Sequence, residues 1–174
     1  MIAITGLAAV MGSCADRNSD FRYLVDEFAD LKIMRYQVPG WDGLTLQQKE
    51  YVYHLAEAAK YGRDIIWLQN CRYNLQIRKM LENILENYTG DRTSEAYAQF
   101  ETYAKRVFFS NGIHHHYAED KFFPECPREY FASLAASVGI VDEGLFDIIY
   151  DPAVLKQRKS TDKDGDIDAE SAVN

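Results

Sequence analysis

The chain has 174 residues, of which 47% are hydrophobic and 26% are charged. This composition is typical of a globular domain, and it excludes disordered, collagen-like and polytopic membrane proteins. The net charge of −8, without a block of Lys or Arg, argues against a nucleic-acid partner, because nucleic-acid binding relies on clustered basic residues.

The first residues resemble a bacterial export signal. Residues 2–11 form an apolar run that is too short to span a bilayer, which takes about 20 residues, but has the length of a signal-peptide core. The run leads into Gly12, Ser13 and Cys14, which resembles a lipobox. We therefore predict a lipoprotein signal and tether over 1–19, with Cys14 acylated and the protein anchored in the cell envelope. The alternatives are a buried apolar segment or a cloning artefact, and the protein is then expected in the cytoplasm.

Helical spacing dominates the next part of the chain. Apolar residues at i, i+3, i+4 and i+7 predict a helix over 20–36, before the breaker pair at 39–40. A second helix is predicted over 45–61, with Thr45 as its N-cap and Gly62 as its interruption. The face of this second helix that we expect to be buried consists of Val52, Leu55, Ala56 and Ala59.

The second half of the chain continues the same pattern, and no convincing strand alternation occurs in it. We predict a mainly α fold over 20–155 and a polar loop over 156–174. The remaining predicted helices, each with the residues that end it, are 77–88 before a C-cap at Gly90, 97–108 before Asn111 and Gly112, 127–138 before Gly139, and 142–150 before Asp151 and Pro152.

Three consecutive histidines, 114–116, form the most conspicuous polar cluster. On an extended segment, His114 and His116 would point to the same side and share a metal, with Glu119 and Asp120 adding oxygen ligands. No Cys lies nearby and no His follows at i+3 or i+4, so we expect this chain to bind no metal. The favoured interpretation is a polar turn that lines a cleft or contacts a peptide, and a solvated loop is the alternative.

Two further patterns bear on metal and redox chemistry. Cys71 and Cys126 are expected to be buried free thiols, although an oxidising compartment would permit a disulfide. The acidic run 162–168 resembles a calcium-binding loop. Its sixth and twelfth positions, Ile167 and Val173, replace the required Gly and Glu, so we predict an acidic solvated loop.

One longer segment resembles a known family. Residues 107–124 read VFFSNGIHHHYAEDKFFP, and a helix is expected to follow. This order of Ser-Asn, Gly, Tyr and the stretch 120–124 is similar to the N-terminal lobe of dipeptidyl peptidase III, in which the last stretch reads Asp-x-Lys-Phe-x-Pro. The triple His is similar to bacterial members. The resemblance covers roughly 21–155, and its upstream matches are Leu44, Thr45, Tyr51, Leu55, Ala58, Ala59, Tyr61, Gly62, Leu68 and Gln69.

The resemblance implies that the chain is the helical N-terminal part of a larger two-lobed α+β metallopeptidase. Family members use zinc, held on an H-E-x-x-x-H helix, to remove dipeptides from the N-termini of oligopeptides. That motif does not occur in these 174 residues, so the chain alone is expected to be an inactive fragment. The alternative is a stand-alone helical envelope lipoprotein that binds a partner without catalysis. The residues expected near the substrate cleft are Asn111, Gly112, His114, His116 and Tyr117.

Overall fold

The computed structural model describes residues 21–156, which are mainly helical with one small two-stranded sheet. The predicted mainly α class is therefore confirmed at this level. The described residues divide into two compact units, and the division falls between Pro39 and Gly40. The predicted signal over 1–19 with Cys14, and the acidic run 162–168, lie outside the described residues. Among the described helices, none is long and apolar enough to cross a membrane.

The first unit contains a β-hairpin where the sequence predicted a helix over 20–36. Strands β1 (Leu24–Phe28) and β2 (Leu31–Met34) pair antiparallel, and Ala29 at φ 51° lies in the turn between them. The helix prediction was wrong because its apolar spacing is ambiguous. Leu24 and Phe28 are four residues apart, which places them on one face of a helix and equally on one face of a strand.

The second unit begins with a 3-10 turn at Trp41–Gly43 and the helix α1 (Leu46–Tyr61). The predicted cap is confirmed, because Thr45 and Gln48 form a reciprocal capping box. The predicted burial is wrong. No residue of α1 is buried, and Val52 and Leu55 are 40% and 51% exposed. The apolar spacing predicts which side chains share one face of the helix. Whether that face is buried depends on another element covering it.

Helices α2 (Arg63–Asn70) and α3 (Asn74–Asn87) follow. The sequence did not predict α2, because Gly62 was interpreted as a stop. Gly62 instead has right-handed helical dihedral angles, so a second helix begins directly after it. Gly90 is not the C-cap of α3, because the helix already ends at Tyr88.

A buried arginine joins these two helices. The Arg78 guanidinium on α3 lies 2.7 Å from carboxylate oxygens of both Asp64 and Glu82. It also lies over the Trp67 ring, 5.4 Å from its centroid. The Arg78 side chain is almost fully buried, while its two acidic partners remain partly exposed. The arrangement fixes the junction of α2 and α3 at the edge of the core.

The remaining helices are α4 (Glu95–Ser110), α5 (Arg128–Ser137) and α6 (Glu143–Tyr150), close to the predicted bounds. Gly139 ends α5 as predicted: its φ is 82°, and the Ile140 amide donates to the Ala135 carbonyl at 2.9 Å. Pro127 is the N-cap of α5, whereas the sequence predicted it as the first residue of the helix.

The core of the second unit is aromatic and lies among α3, α4, α5 and α6. Phe131 is fully buried at its centre. Its ring contacts four others at centroid distances between 4.9 and 6.4 Å, mostly edge to face: Phe100, Tyr103, Phe146 and Tyr150. The aliphatic side chains that complete this core include Ile77, Leu81, Ile84, Val107, Leu134 and Ile149.

Candidate functional site

The candidate site is the segment 111–122, called the His loop below, which follows α4. Asn111 has left-handed dihedral angles, φ 54° and ψ 39°, and ends the helix as predicted. The Gly112 amide then donates to the Val107 carbonyl at 3.0 Å, which closes a Schellman-type turn. Gly112 lies so close to Asn74 that a Cβ atom at this position would overlap the Asn74 amide group. The loop therefore starts in tight contact with α3.

The buried side-chain amide of Asn74 supports the start of the His loop. Asn74 is fully buried; its Oδ1 accepts from the Ile113 amide at 3.1 Å, and its Nδ2 donates to the Trp67 carbonyl at 3.2 Å. The side chain thus joins the end of α2 to the loop. Asn74 is not among the residues predicted for the site. Its burial was predictable from helical spacing, because Asn74 lies three residues before Ile77 and therefore shares the apolar face of α3.

The two arms of the His loop pair with each other. His114 and Lys121 form an antiparallel β-bridge, and the Phe122 amide donates to the Ile113 carbonyl at 2.8 Å. Further out, the His115 amide donates to the Asp120 carbonyl at 2.7 Å. The loop is therefore a closed hairpin-like structure, with residues 116–119 at its tip.

His114 and Lys121 point inward and hold the segment 151–156. His114 Nε2 donates to the Leu155 carbonyl at 2.7 Å, and Lys121 Nζ donates to the Asp151 and Val154 carbonyls at 2.6 and 2.8 Å. We call this arrangement the latch. Burial lowers the pKa of Lys121 to about 8, although the Asp151 carboxylate opposes the shift. His114 is 2% exposed, so this cleft candidate lies beneath the surface of the loop.

His115 shapes the tip of the loop through its ring. Its Nδ1 atom accepts from the backbone amides of Tyr117 at 3.1 Å and Ala118 at 2.9 Å. The Glu119 amide donates to the His115 carbonyl at 3.1 Å, and Glu119 takes a left-handed φ of 65°. His115 belonged to the predicted cluster but was not among the cleft candidates, because its role depends on the turn that follows it.

His116 and Tyr117 form the outer surface of the loop together with Phe109 of α4. The His116 ring lies 5.2 Å from the Phe109 ring and 4.3 Å from the Tyr117 ring, and its Nδ1 is 3.4 Å from Ser110 Oγ. Tyr117 is 85% exposed. These three residues, Phe109, His116 and Tyr117, are called the aromatic patch. It offers flat apolar faces, an imidazole and a phenol to a ligand.

The three imidazoles do not converge on a metal position. His114 Nε2 is engaged by Leu155 and His115 Nδ1 by two backbone amides, and the two rings serve different parts of the fold. Within residues 21–156, no group of three or more His, Cys, Asp or Glu residues could hold a metal ion. The family resemblance implies zinc on an H-E-x-x-x-H helix, and that motif does not occur in these 174 residues.

Cys71 and Cys126 are free and buried, as the favoured interpretation predicted. Burial raises the pKa of both thiols, which keeps them protonated and weakly nucleophilic at neutral pH. Tyr150 covers Cys126 and donates its hydroxyl to the Cys126 carbonyl at 3.0 Å. Both cysteines thus behave as core residues.

No family model matches the chain, and no curated protein matches it.

Proposed function

We propose that this chain is the N-terminal part of a zinc-dependent dipeptidyl peptidase of the dipeptidyl peptidase III type, and that its aromatic patch contacts the oligopeptide substrate. The observation that carries the proposal is the construction of the His loop. The segment with the strongest family resemblance is held from within by Asn74, His114 and Lys121, while Tyr117 stays exposed at its tip. A rigidly supported, exposed aromatic side chain is suited to ligand contact, because little conformational entropy is lost on binding.

The role proposed for this chain is binding rather than hydrolysis. The aromatic patch offers ring faces for apolar peptide side chains and an imidazole and a phenol for peptide polar groups. In the family, zinc polarises the scissile carbonyl and supplies the attacking water. The H-E-x-x-x-H motif that holds this zinc does not occur in these 174 residues. Without such a motif the chain is expected to be inactive.

The uncovered face of α1 also supports a larger protein. This helix has 16 residues and a capping box, yet its apolar residues remain exposed, including Val52 and Leu55. The neighbouring Ile65 and Ile66 of α2 are exposed as well. Contiguous exposed apolar side chains commonly mark a surface that another domain or partner covers.

The test uses the complete protein that contains this segment. We expect zinc-dependent release of dipeptides from the N-termini of oligopeptides. Tyr117→Ala should raise KM about tenfold with little change in kcat, because it removes an aromatic contact made in the bound state. Tyr61→Ala is the matched control, since Tyr61 is 90% exposed on α1, and it should leave KM unchanged.

Two results would refute parts of this proposal. A complete reading frame without H-E-x-x-x-H would remove the peptidase assignment. Equal KM values for the Tyr117 and Tyr61 variants would remove the role of the aromatic patch while leaving the peptidase assignment intact.

The second candidate is a stand-alone envelope lipoprotein that binds a partner without catalysis. The exposed α1 face and the aromatic patch suit this function equally well. It predicts that the 174-residue chain unfolds in one cooperative thermal transition and hydrolyses no dipeptidyl substrate, with or without zinc. The peptidase proposal instead predicts a low melting temperature for this chain, because part of its apolar surface would lack its cover.

The proposed envelope location depends on Cys14. Fatty-acid labelling of the protein in a bacterial host should be lost in Cys14→Ala. The matched control is Cys71→Ala, which removes a buried core thiol and should leave labelling unchanged. Labelling that persists in Cys14→Ala would refute the anchor and would favour the cytoplasmic alternative.

A further inference from the structure

The tip of the His loop is closed by a side chain whose hydrogen bonding depends on its protonation state. His115 Nδ1 accepts from two consecutive backbone amides, those of Tyr117 and Ala118, at 3.1 and 2.9 Å. A neutral imidazole has one acceptor nitrogen, so this geometry assigns the neutral form with its proton on Nε2. An imidazolium has no acceptor nitrogen. In the protonated form, the proton on Nδ1 would point at the two amide protons.

We propose that His115 is a proton-operated switch: neutral His115 closes the turn 115–118, and protonation of its ring in mildly acidic solution opens the turn. The direction of the pH effect follows from the hydrogen bonds of His115. The closed turn requires the proton-free Nδ1, whereas the open turn accepts the proton without loss, so acid favours opening. The turn is therefore closed at neutral pH and opens as the pH falls. Tyr117, which the turn orients, loses its fixed position at the same time.

The groups around His115 modulate this response. The His116 ring stacks on it with centroids 4.6 Å apart, so protonation of both rings would place two positive charges face to face. The Phe122 ring lies 5.8 Å away, and Arg106 of α4 lies over that ring, which adds positive charge on this side. The acidic residues Glu119 and Asp120 follow in the same loop. Tyr117, 6.4 Å away, is the remaining titratable neighbour.

The inference goes beyond the proposed function, and its test requires no substrate. Amide proton shifts and solvent-exchange rates of Tyr117 and Ala118 are measured by NMR on the 174-residue chain between pH 7.5 and 5.5. After correction for the intrinsic effect of pH, exchange of both amides should become about tenfold faster at pH 5.5, as expected for the loss of two hydrogen bonds. The change should coincide with the titration of the His115 ring.

Two substitutions make the test specific. His115→Asn retains an acceptor that forms an Asx turn with the backbone two residues on and does not titrate, so the amide exchange rates should change less than about twofold with pH. His115→Ala lacks the acceptor, so exchange should be fast at both pH values. His54→Asn on α1 removes an exposed histidine elsewhere and should leave the response unchanged.

The proposal is overturned if the amides of the unmodified chain do not respond to pH. It is also overturned if His115→Asn responds as the unmodified chain does. Loss of the response in His116→Asn alone would assign the switch to the stacked neighbour instead of His115.

Discussion

Replacing Asn74 with alanine removes a buried side chain that joins α2 to the start of the His loop. The substitution leaves the buried Ile113 amide without its acceptor, whereas the Trp67 carbonyl still accepts from the Cys71 amide at 3.4 Å. Each orphaned buried group costs roughly 1–3 kcal/mol. The expected loss in the free energy of unfolding is therefore about 2 kcal/mol, a substantial part of the 5–15 kcal/mol typical of a whole domain.

Gly112 provides an internal check on this explanation. In the unmodified protein, Gly112→Ala places a methyl group against the Asn74 amide and should cost about 2 kcal/mol. In the Asn74→Ala background the obstructing amide is absent, so the same substitution should cost about 1 kcal/mol less. The two changes are therefore expected to be non-additive, as residues in direct contact commonly are.

Urea unfolding of the two single variants, the double variant and a control measures these quantities. Asn87→Ala is the matched control, because Asn87 lies on the same helix, is exposed and bonds locally to Asn83. It should change the free energy of unfolding by less than about 0.5 kcal/mol. A loss below 1 kcal/mol for Asn74→Ala, or strict additivity with Gly112→Ala, would refute the proposed junction.

Three further predictions concern the core, the arginine junction and the latch. Phe131→Ala should lower the free energy of unfolding by about 4 kcal/mol in urea, because it empties the centre of the aromatic core; a loss below 2 kcal/mol would mean that the core collapses into the space. Arg78→Met should cost about 1–2 kcal/mol at low salt and less in 1 M NaCl, since its partners Asp64 and Glu82 are partly exposed; a salt-independent cost would indicate lost packing. Burial lowers the pKa of Lys121 from 10.5 to about 8 in the folded chain. Between these pH values the unfolded chain therefore binds more protons than the folded chain, so the contribution of Lys121 to the free energy of unfolding rises with pH. The stability difference between the unmodified chain and Lys121→Met should therefore move in favour of the unmodified chain from pH 8 to 10.5, and a constant difference would contradict the lowered pKa.

The N-terminus of α1 and the C-terminus of α4 were predictable because their signals are local. Thr45 and Gln48 cap α1 through contacts three residues apart, and Asn111 ends α4 through its own dihedral angles. What covers a helix face is not local. The stripe of α1 therefore predicted a helix correctly and its burial incorrectly. The hairpin at β1 and β2 was missed because a spacing of four residues suits both a helix and a strand.

The sequence predicted a turn after α4 at the three histidines, but not the internal arrangement of that turn. Three consecutive histidines marked the His loop in the sequence. The three imidazole rings point in different directions because of the antiparallel bridge between His114 and Lys121, which pairs residues across the loop. His114 turns inward, His115 caps the turn, and His116 joins the aromatic patch. Asn74 lies 39 residues before Ile113 in sequence, so their hydrogen bond becomes visible only once α3 and the loop have packed together.

The latch has a consequence for the order of folding events. Its side-chain hydrogen bonds join residues that are 30 to 41 positions apart, so they form only after the intervening helices α5 and α6 have docked. Contacts made after the rate-limiting step affect the unfolding rate more than the refolding rate. Weakening the latch should thus shorten the lifetime of the native state while leaving the speed of its formation nearly unchanged. We therefore expect residues 151–156 to close late in folding and to open early in unfolding.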